Sequence, residues 1–134
     1  MRSESLRSMQ IEDRVFTILV VEDEPIVRML LVDHLTDIGF RIIEAADAAA
    51  ALAALQSGVT IDLMLSDVGL PGMNGRELAD RAGVIAPELP VLFATGYADG
   101  DGTALGLPAP GRDVVGKPFD MDDVERRIRA LLAP

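Results

Sequence analysis

Three carboxylates and one ammonium are scattered along this chain, and each stands where an apolar run stops. Glu22 and Asp23 follow Thr17-Ile18-Leu19-Val20-Val21. Asp67 ends the run from Ile61 to Ser66, and Lys117-Pro118 closes Val114-Val115-Gly116. Short, continuous, β-branched runs of this kind read as buried strands. In a parallel sheet the carboxyl ends of the strands share one edge, and ligands bind there. The four charged groups are therefore expected in one crevice. Clustered carboxylate oxygens suit a hard divalent cation such as Mg2+, and a point-charge ammonium beside them suits a phosphoryl oxygen. With Mg2+ neutralising the charge, Asp67 is placed as a nucleophile toward phosphorus, giving an aspartyl phosphate. Thr95, at the end of the run Pro90 to Thr95, offers a hydroxyl to a second phosphoryl oxygen, and Gly96 leaves room for approach. Three close carboxylates repel one another, so the metal-free cluster should hold protons tightly.

Each signal taken singly has an ordinary reading. An acidic pair after a strand is often a solvated loop, Lys-Pro is often a turn, and Thr95 alone is a strand residue. The combination, in this order and at these strand ends, carries the argument. His34 is the only histidine. It falls within the apolar arc of Val27, Leu30, Leu31 and Ile38, and reads as a partly buried structural residue, not a phosphocarrier.

The elements that must position these groups follow from the same runs. Thr17 to Val21 is the first strand. Pro25 suits the first turn of a helix, with Ile26, Val27, Leu30, Leu31, Leu35 and Ile38 at helical spacing and Gly39 as its C-terminal stop. Phe40 to Ala45 holds the second strand. Asp47 is placed to cap an alanine-rich helix that runs to Gln56. Ile61 to Asp67 is the third strand, and 69–75 is a turn-rich loop before a helix over Arg76 to Ala82. The fourth strand spans Pro90 to Thr95 and the fifth Val114 to Lys117. Asp120 caps a final helix, with Asp122 and Asp123 in its first turn and Arg126, Arg127 and Arg129 nearer its end, as the macrodipole favours. This alternation implies a parallel sheet with helices on both faces. Only the stretch from Tyr97 to Val114 breaks it. Gly and Pro are too frequent there for a stable helix, so a loop is expected over 98–113, with at most one turn near Thr103 to Leu105.

Composition narrows the classes. A chain of 134 residues fits one domain, and 49% hydrophobic residues suffice for a core. The net charge of -10 argues against nonspecific nucleic-acid binding and against adhesion to anionic membranes. The absence of Cys removes disulfides, thiolate metal sites and cysteine nucleophiles. No apolar run approaches the roughly 20 residues of a membrane helix, and the first 14 residues lack the apolar core of a signal peptide.

The segments ILVVEDEPIVR, LMLSDVGLPGMNGREL, PVLFATGYAD and VVGKPF resemble the receiver domain of bacterial two-component response regulators. The resemblance covers roughly Thr17 to Leu132. It implies a doubly wound five-stranded (βα)5 flavodoxin-like fold, here with a short or disordered fourth helix. It also implies that 1–14 is a flexible tail and 15–134 the receiver. Further implied are Asp67 as phosphoacceptor, Asp23 as a direct Mg2+ ligand, Glu22 holding the metal through water, and the Gly69 carbonyl as the third protein ligand. Thr95 and Lys117 are implied to contact the phosphoryl group, and Lys117-Pro118 to be a cis peptide. The family usually has an aromatic residue three positions before the lysine, coupled to movement of the threonine. Val114 stands there in this chain. PVLFATGY is similar to a subgroup of single-domain receivers named for a Phe-Ala-Thr-Gly-aromatic motif, in which Tyr97 is a candidate to replace the missing aromatic.

The expectation is a stand-alone cytoplasmic receiver phosphorylated on Asp67 by a sensor histidine kinase or histidine phosphotransfer protein. It catalyses only its own phosphoryl transfer and dephosphorylation and is not otherwise an enzyme. No output domain is expected after the last helix, so output would run through an unknown downstream protein, without nucleic acid or membrane. A phosphate sink, or the receiver part of a hybrid histidine kinase, is the alternative. Gly69 offers no side chain to guide an attacking water, so self-dephosphorylation is expected to be slow. A flavodoxin-like FMN binder would need a hydroxyl- or Gly-rich phosphate loop where Glu22-Asp23-Glu24-Pro25 stands. An aspartyl phosphatase usually has a second Asp where Gly69 stands.

Overall fold

The computed structural model describes residues 14–96 and 109–133. Within them the chain runs β1 (Thr17–Val21), α1 (Pro25–Asp37), β2 (Arg41–Ala45), α2 (Ala48–Gln56), β3 (Leu63–Asp67), α3 (Gly75–Ile85), β4 (Val91–Thr95), β5 (Arg112–Gly116) and α4 (Met121–Leu132). All five strands are parallel, in the order β2-β1-β3-β4-β5. This is the doubly wound, flavodoxin-like receiver fold.

Strand periodicity divides the core in two. Side chains alternate across a sheet, so Ile18, Val20, Leu63, Leu65, Leu92 and Val115 face one side and pack on Leu31 and Leu35 of α1 and Val124 and Ile128 of α4. Leu19, Val21, Met64, Phe93 and Val114 face the other and pack on Ala48 and Ala51 of α2 and Leu78 and Ala82 of α3. Both faces are covered, which is why the strands read as unbroken apolar runs. The chain leaves β1 for β2 on one flank and then crosses to β3 on the other. That reversal leaves an open crevice at the carboxyl ends of β1 and β3.

Three of the four described helix starts follow the sequence reading. Pro25 opens α1. The Asp47 carboxylate accepts from Ala50 N at 2.8 Å, and Asp120 accepts from Asp122 N at 3.0 Å and Asp123 N at 3.3 Å. Gly39, at φ 106°, takes the left-handed turn after α1.

β4 begins at Val91, not Pro90, and four further boundaries or faces differ. β3 begins at Leu63, not Ile61; Asp62 still meets the start of β1, its amide donating to the Thr17 carbonyl at 2.8 Å and its carboxylate accepting from Thr17 N at 2.8 Å. The third helix runs from Gly75 to Ile85, longer than Arg76 to Ala82. Asn74 starts it with a reciprocal cap, accepting from Glu77 N at 2.9 Å while its amide donates to Glu77 Oε1 at 3.1 Å. β5 begins at Arg112 rather than Val114 and ends before Lys117. Its two charged residues are carried by partners, Arg112 by Asp80 at 3.1 Å and Asp113 by Arg127 at 3.0 Å. The loop expected over 98–113 is therefore two residues too long, since Arg112 and Asp113 belong to the strand. Its 98–108 portion and the expected turn at Thr103 to Leu105 lie outside the described residues, as does the tail over 1–13. Finally, the apolar arc of α1 is wider than the face the sheet covers. Leu31 and Leu35 are buried, whereas Ile26, Met29 and Leu30 are exposed.

Among the described residues no helix is long and apolar enough to cross a membrane.

Candidate functional site

The ends of β1, β3 and β4 and the residue after β5 meet at the crevice. Register fixes the convergence. β1 pairs with β3 through Val21 and Ser66, β3 with β4 through Asp67 and Ala94, and β4 with β5 through Thr95 and Gly116. Glu22, Asp67, Thr95 and Lys117 each stand at or within one residue of these terminal pairs. The Lys117 amide donates to the Thr95 carbonyl at 2.8 Å, and the Lys117–Pro118 peptide is cis.

The Lys117 ammonium bridges two carboxylates. It lies 3.2 Å from Asp67 Oδ2 and 3.3 and 3.4 Å from the two oxygens of Glu22. Glu22 is 2% exposed, whereas Asp67 and Lys117 remain partly open to solvent. Asp23 is exposed and completes the group. Glu22, Asp23 and Asp67 each bring an oxygen within 4.8 Å of the others. Three carboxylates so close, one of them buried, form an oxygen donor set that fits Mg2+.

The electrostatics register the crowding. Burial, and then the charge of Asp67, push the Glu22 carboxyl up to about 7, with Lys117 offsetting part of the rise. Burial alone would lower the Lys117 ammonium, but the hydrogen bond and charge of Asp67, together with Glu22, hold it above its usual value. A divalent cation would relieve the same repulsion that the proton on Glu22 relieves.

The loop after β3 is tied to Asp67. Gly69 N donates to Asp67 Oδ1 at 3.2 Å, and Gly75 N donates to the Val68 carbonyl at 2.9 Å. A Cβ on Gly75 would lie 2.4 Å from the Asp67 carbonyl oxygen. The start of α3 thus rests directly on the backbone of Asp67. Around Gly69 there is open space.

Thr95 is 5% exposed at the end of β4. Val114 is buried in the α2–α3 core beside Phe93. Tyr97 lies outside the described residues. His34 is partly buried, as its place on the helix predicts, and its Nε2 has no hydrogen-bond partner among the described residues. It lines an apolar groove of about 510 Å³ with Val27, Leu30, Phe119 and Met121, and Lys117 and Pro118 form the end nearest the crevice.

Two residues at the site escaped the sequence reading. Gly75 stood only as the end of a turn-rich loop. Arg28 reaches back from α1, donating from Nη1 to the Glu22 carbonyl at 2.8 Å and from Nε to Glu44 Oε1 at 3.2 Å. A bond from a side chain to a backbone carbonyl leaves no mark on residue spacing.

Known proteins share this arrangement. The family model described as the response regulator receiver domain matches residues 18–129. The transcriptional regulatory protein TcrA of Mycobacterium tuberculosis is 38% identical over 114 residues, which is 85% of this chain and 45% of TcrA. The sensor kinase CckA of Brucella abortus is 34% identical over 118 residues, 87% of this chain and 12% of CckA. The chain thus spans about half, or much less, of the curated relatives it matches. Among solved structures, a response regulator receiver protein from Sinorhizobium medicae superposes with a TM-score of 0.79 at 28% identity, covering 89% of this chain and 95% of that one. The receiver domain of the hybrid histidine kinase CckA superposes with a TM-score of 0.75 at 33% identity, covering 87% and 99%. A parallel sheet in this order, with an acidic crevice bridged by a lysine, in a chain matched by the family model over nearly its whole length, belongs to the response regulator receiver domain family.

Proposed function

We propose that this receiver takes a phosphoryl group from the phosphohistidine of a sensor histidine kinase or a histidine phosphotransfer protein onto Asp67, and passes the signal on through protein–protein contacts. The observation that carries this reading is the Lys117 ammonium held between Asp67 and Glu22, with Asp23 closing the acidic cluster. Glu22, Asp23, Asp67 and the Gly69 carbonyl are the groups proposed to hold Mg2+. When bound, Mg2+ supplies charge neutralisation across the cluster and the incoming phosphoryl oxygens.

In this reading an Asp67 carboxylate oxygen attacks phosphorus in line. The P–O bond forms as the P–N bond to the imidazole breaks, and the electron pair returns to the donor ring. Lys117 exchanges its contact with Asp67 for one with a phosphoryl oxygen, and Thr95 takes another. The amide of Gly69 keeps the second Asp67 oxygen oriented during attack. The chain then acts on no substrate but its own phosphoryl group, as acceptor and in self-dephosphorylation, in the cytoplasm.

The apolar groove beside Lys117 supports docking of the donor on that rim. Leu30 is exposed there, and an apolar surface set next to a charged acceptor fits a helical partner that brings its phosphohistidine over Asp67. The likeness to the CckA receiver keeps the alternative of a hybrid-kinase receiver or phosphate sink, with the same chemistry at Asp67. The mass of the endogenous protein separates a stand-alone receiver from that alternative.

The test is labelling with a small acyl phosphate plus Mg2+, read by intact mass. A Mg2+-dependent gain of one phosphoryl group, lost in Asp67→Asn, is the expected result. A gain that survives Asp67→Asn refutes the assignment of the acceptor.

A further inference from the structure

The acidic loop after β1 is held by its backbone as well as its side chains. The Glu22 amide donates to the Ala45 carbonyl at the end of β2, at 3.1 Å. Its carbonyl accepts from Arg28 Nη1 at 2.8 Å. Arg28 is itself anchored twice. Its amide makes the first helical hydrogen bond of α1, to the Glu24 carbonyl at 2.9 Å. Its Nε donates to Glu44 Oε1 of β2 at 3.2 Å. One guanidinium therefore ties the loop, the helix and the edge strand together.

A peptide unit is planar, so fixing the Glu22 carbonyl fixes the plane that continues into Asp23. Glu24 caps α1 without a side-chain hydrogen bond, and Glu22, Asp23 and Glu24 are three successive acids. Like charges on Glu22, Asp23 and Asp67 repel one another, and Arg28 holds the carbonyl that precedes Asp23.

Resting on the reading of this cluster as a Mg2+ site, we propose that Arg28 is a positioning residue for it. Arg28 fixes the Glu22–Asp23 peptide so that the Asp23 carboxylate faces the cluster before the cation arrives. It touches neither cation nor phosphoryl group. The proposal differs in sign from a simple charge effect. A guanidinium beside a cation site repels the cation, so charge alone predicts that replacing Arg28 tightens Mg2+ binding. Positioning predicts that it loosens.

Arg28→Lys separates the two, because lysine keeps the charge and loses the fork that reaches the carbonyl and Glu44 together. Mg2+ affinity is measured by calorimetry on the folded protein, with thermal unfolding in the absence of Mg2+ as the control for stability. Arg28→Lys is expected to weaken Mg2+ about 10-fold, the scale seen when groups that orient metal ligands are lost. Arg28→Met is expected to weaken it too, despite losing the positive charge. Glu44→Gln should weaken it less, and the Arg28→Lys/Glu44→Gln pair should match Arg28→Lys alone, since both act through one contact. Unchanged or tighter Mg2+ binding in Arg28→Lys, with only a lower melting temperature, overturns the proposal and leaves Arg28 a structural residue. Wild type and Asp23→Asn mark the other failure. If wild type shows no saturable Mg2+ binding that Asp23→Asn removes, the metal reading falls and this inference with it.

Discussion

The Lys117 ammonium lies 3.3 Å from Glu22 Oε2, and the carboxylate it meets is only 2% exposed. A buried carboxylate ordinarily needs its cation, and removing one partner of a buried pair costs about 3–5 kcal/mol. Here Glu22 has another recourse, because its carboxyl is already pushed up to about 7 and takes a proton readily.

Lys117→Met is therefore expected to cost less stability near neutral pH than a broken buried pair normally does, since Glu22 protonates. Mg2+ affinity should rise, because a competing cation has left the cluster. Acyl-phosphate labelling of Asp67 should nevertheless fall about 10²–10³-fold, the usual scale for losing one donor to transition-state charge. Calorimetry and intact mass on the same preparation check both arms. Labelling at the wild-type rate would remove Lys117 from the reaction.

The raised Glu22 carboxyl gives a pH dependence of definite sign. Its ordinary value is 4.5 and its folded value about 7. Between those values the folded protein keeps a proton that the unfolded chain has released. Stability of the metal-free protein therefore falls as pH rises from about 4.5 to about 7, by at most about 3 kcal/mol. Mg2+ binds the ionised cluster, so it should flatten this decline, and its apparent affinity should rise through the same window. Denaturant unfolding from pH 5 to 8, with and without Mg2+, measures the slope. Glu22→Gln must flatten it, and a slope that persists in that variant refutes the assignment.

Gly75 and Gly69 flank the same loop and should respond oppositely to a methyl group. At Gly75 the added Cβ meets the Asp67 carbonyl oxygen at 2.4 Å, and that atom is backbone with no rotamer to give way. Gly75→Ala is expected to cost about 1–3 kcal/mol, as overpacking does, and to slow labelling by displacing Asp67. Around Gly69 nothing lies within 4 Å of the added atom, so Gly69→Ala should stay within about 0.5 kcal/mol of wild type. Equal losses at the two positions would contradict the close approach of α3 to β3.

The contrast shows where the sequence was informative. Glu22, Asp23, Asp67, Thr95 and Lys117 could be placed together because each follows an apolar run, and strand ends in a parallel sheet share an edge. Asp47 and Asp120 could be read as caps because capping is local. Contacts made across the fold were not legible. Arg112 and Asp113 fell in the expected loop, and it is Asp80 and Arg127 pairing with them across the fold that carries their charges in the strand. Gly75 looked like one more turn glycine until Asp67 came to rest against it. Arg28 had no role in the sequence reading, since its partner is a backbone carbonyl. The exposed side of α1 was not legible either, because periodicity gives the width of an apolar stripe but not how much of it a sheet will cover.

That uncovered stripe leads to the last prediction. Leu30 is 60% exposed and borders the groove that ends at Lys117 and Pro118. Its side chain holds no part of the core, so Leu30→Glu should change stability by no more than about 0.5 kcal/mol. A small acyl phosphate needs only the crevice, and its labelling of Asp67 should proceed at the wild-type rate. In the proposed docking, a phosphohistidine protein seats an apolar surface beside the crevice, and a carboxylate placed there is left desolvated and unpaired. Transfer from purified, autophosphorylated histidine kinases is expected to fall at least about 10-fold, corresponding to roughly 1.4 kcal/mol of lost docking energy. The two donors are compared on one variant, so a misfolded protein is recognised at once by loss of both. Equal transfer from the kinase to wild type and Leu30→Glu would move the donor off α1 and onto another edge of the crevice.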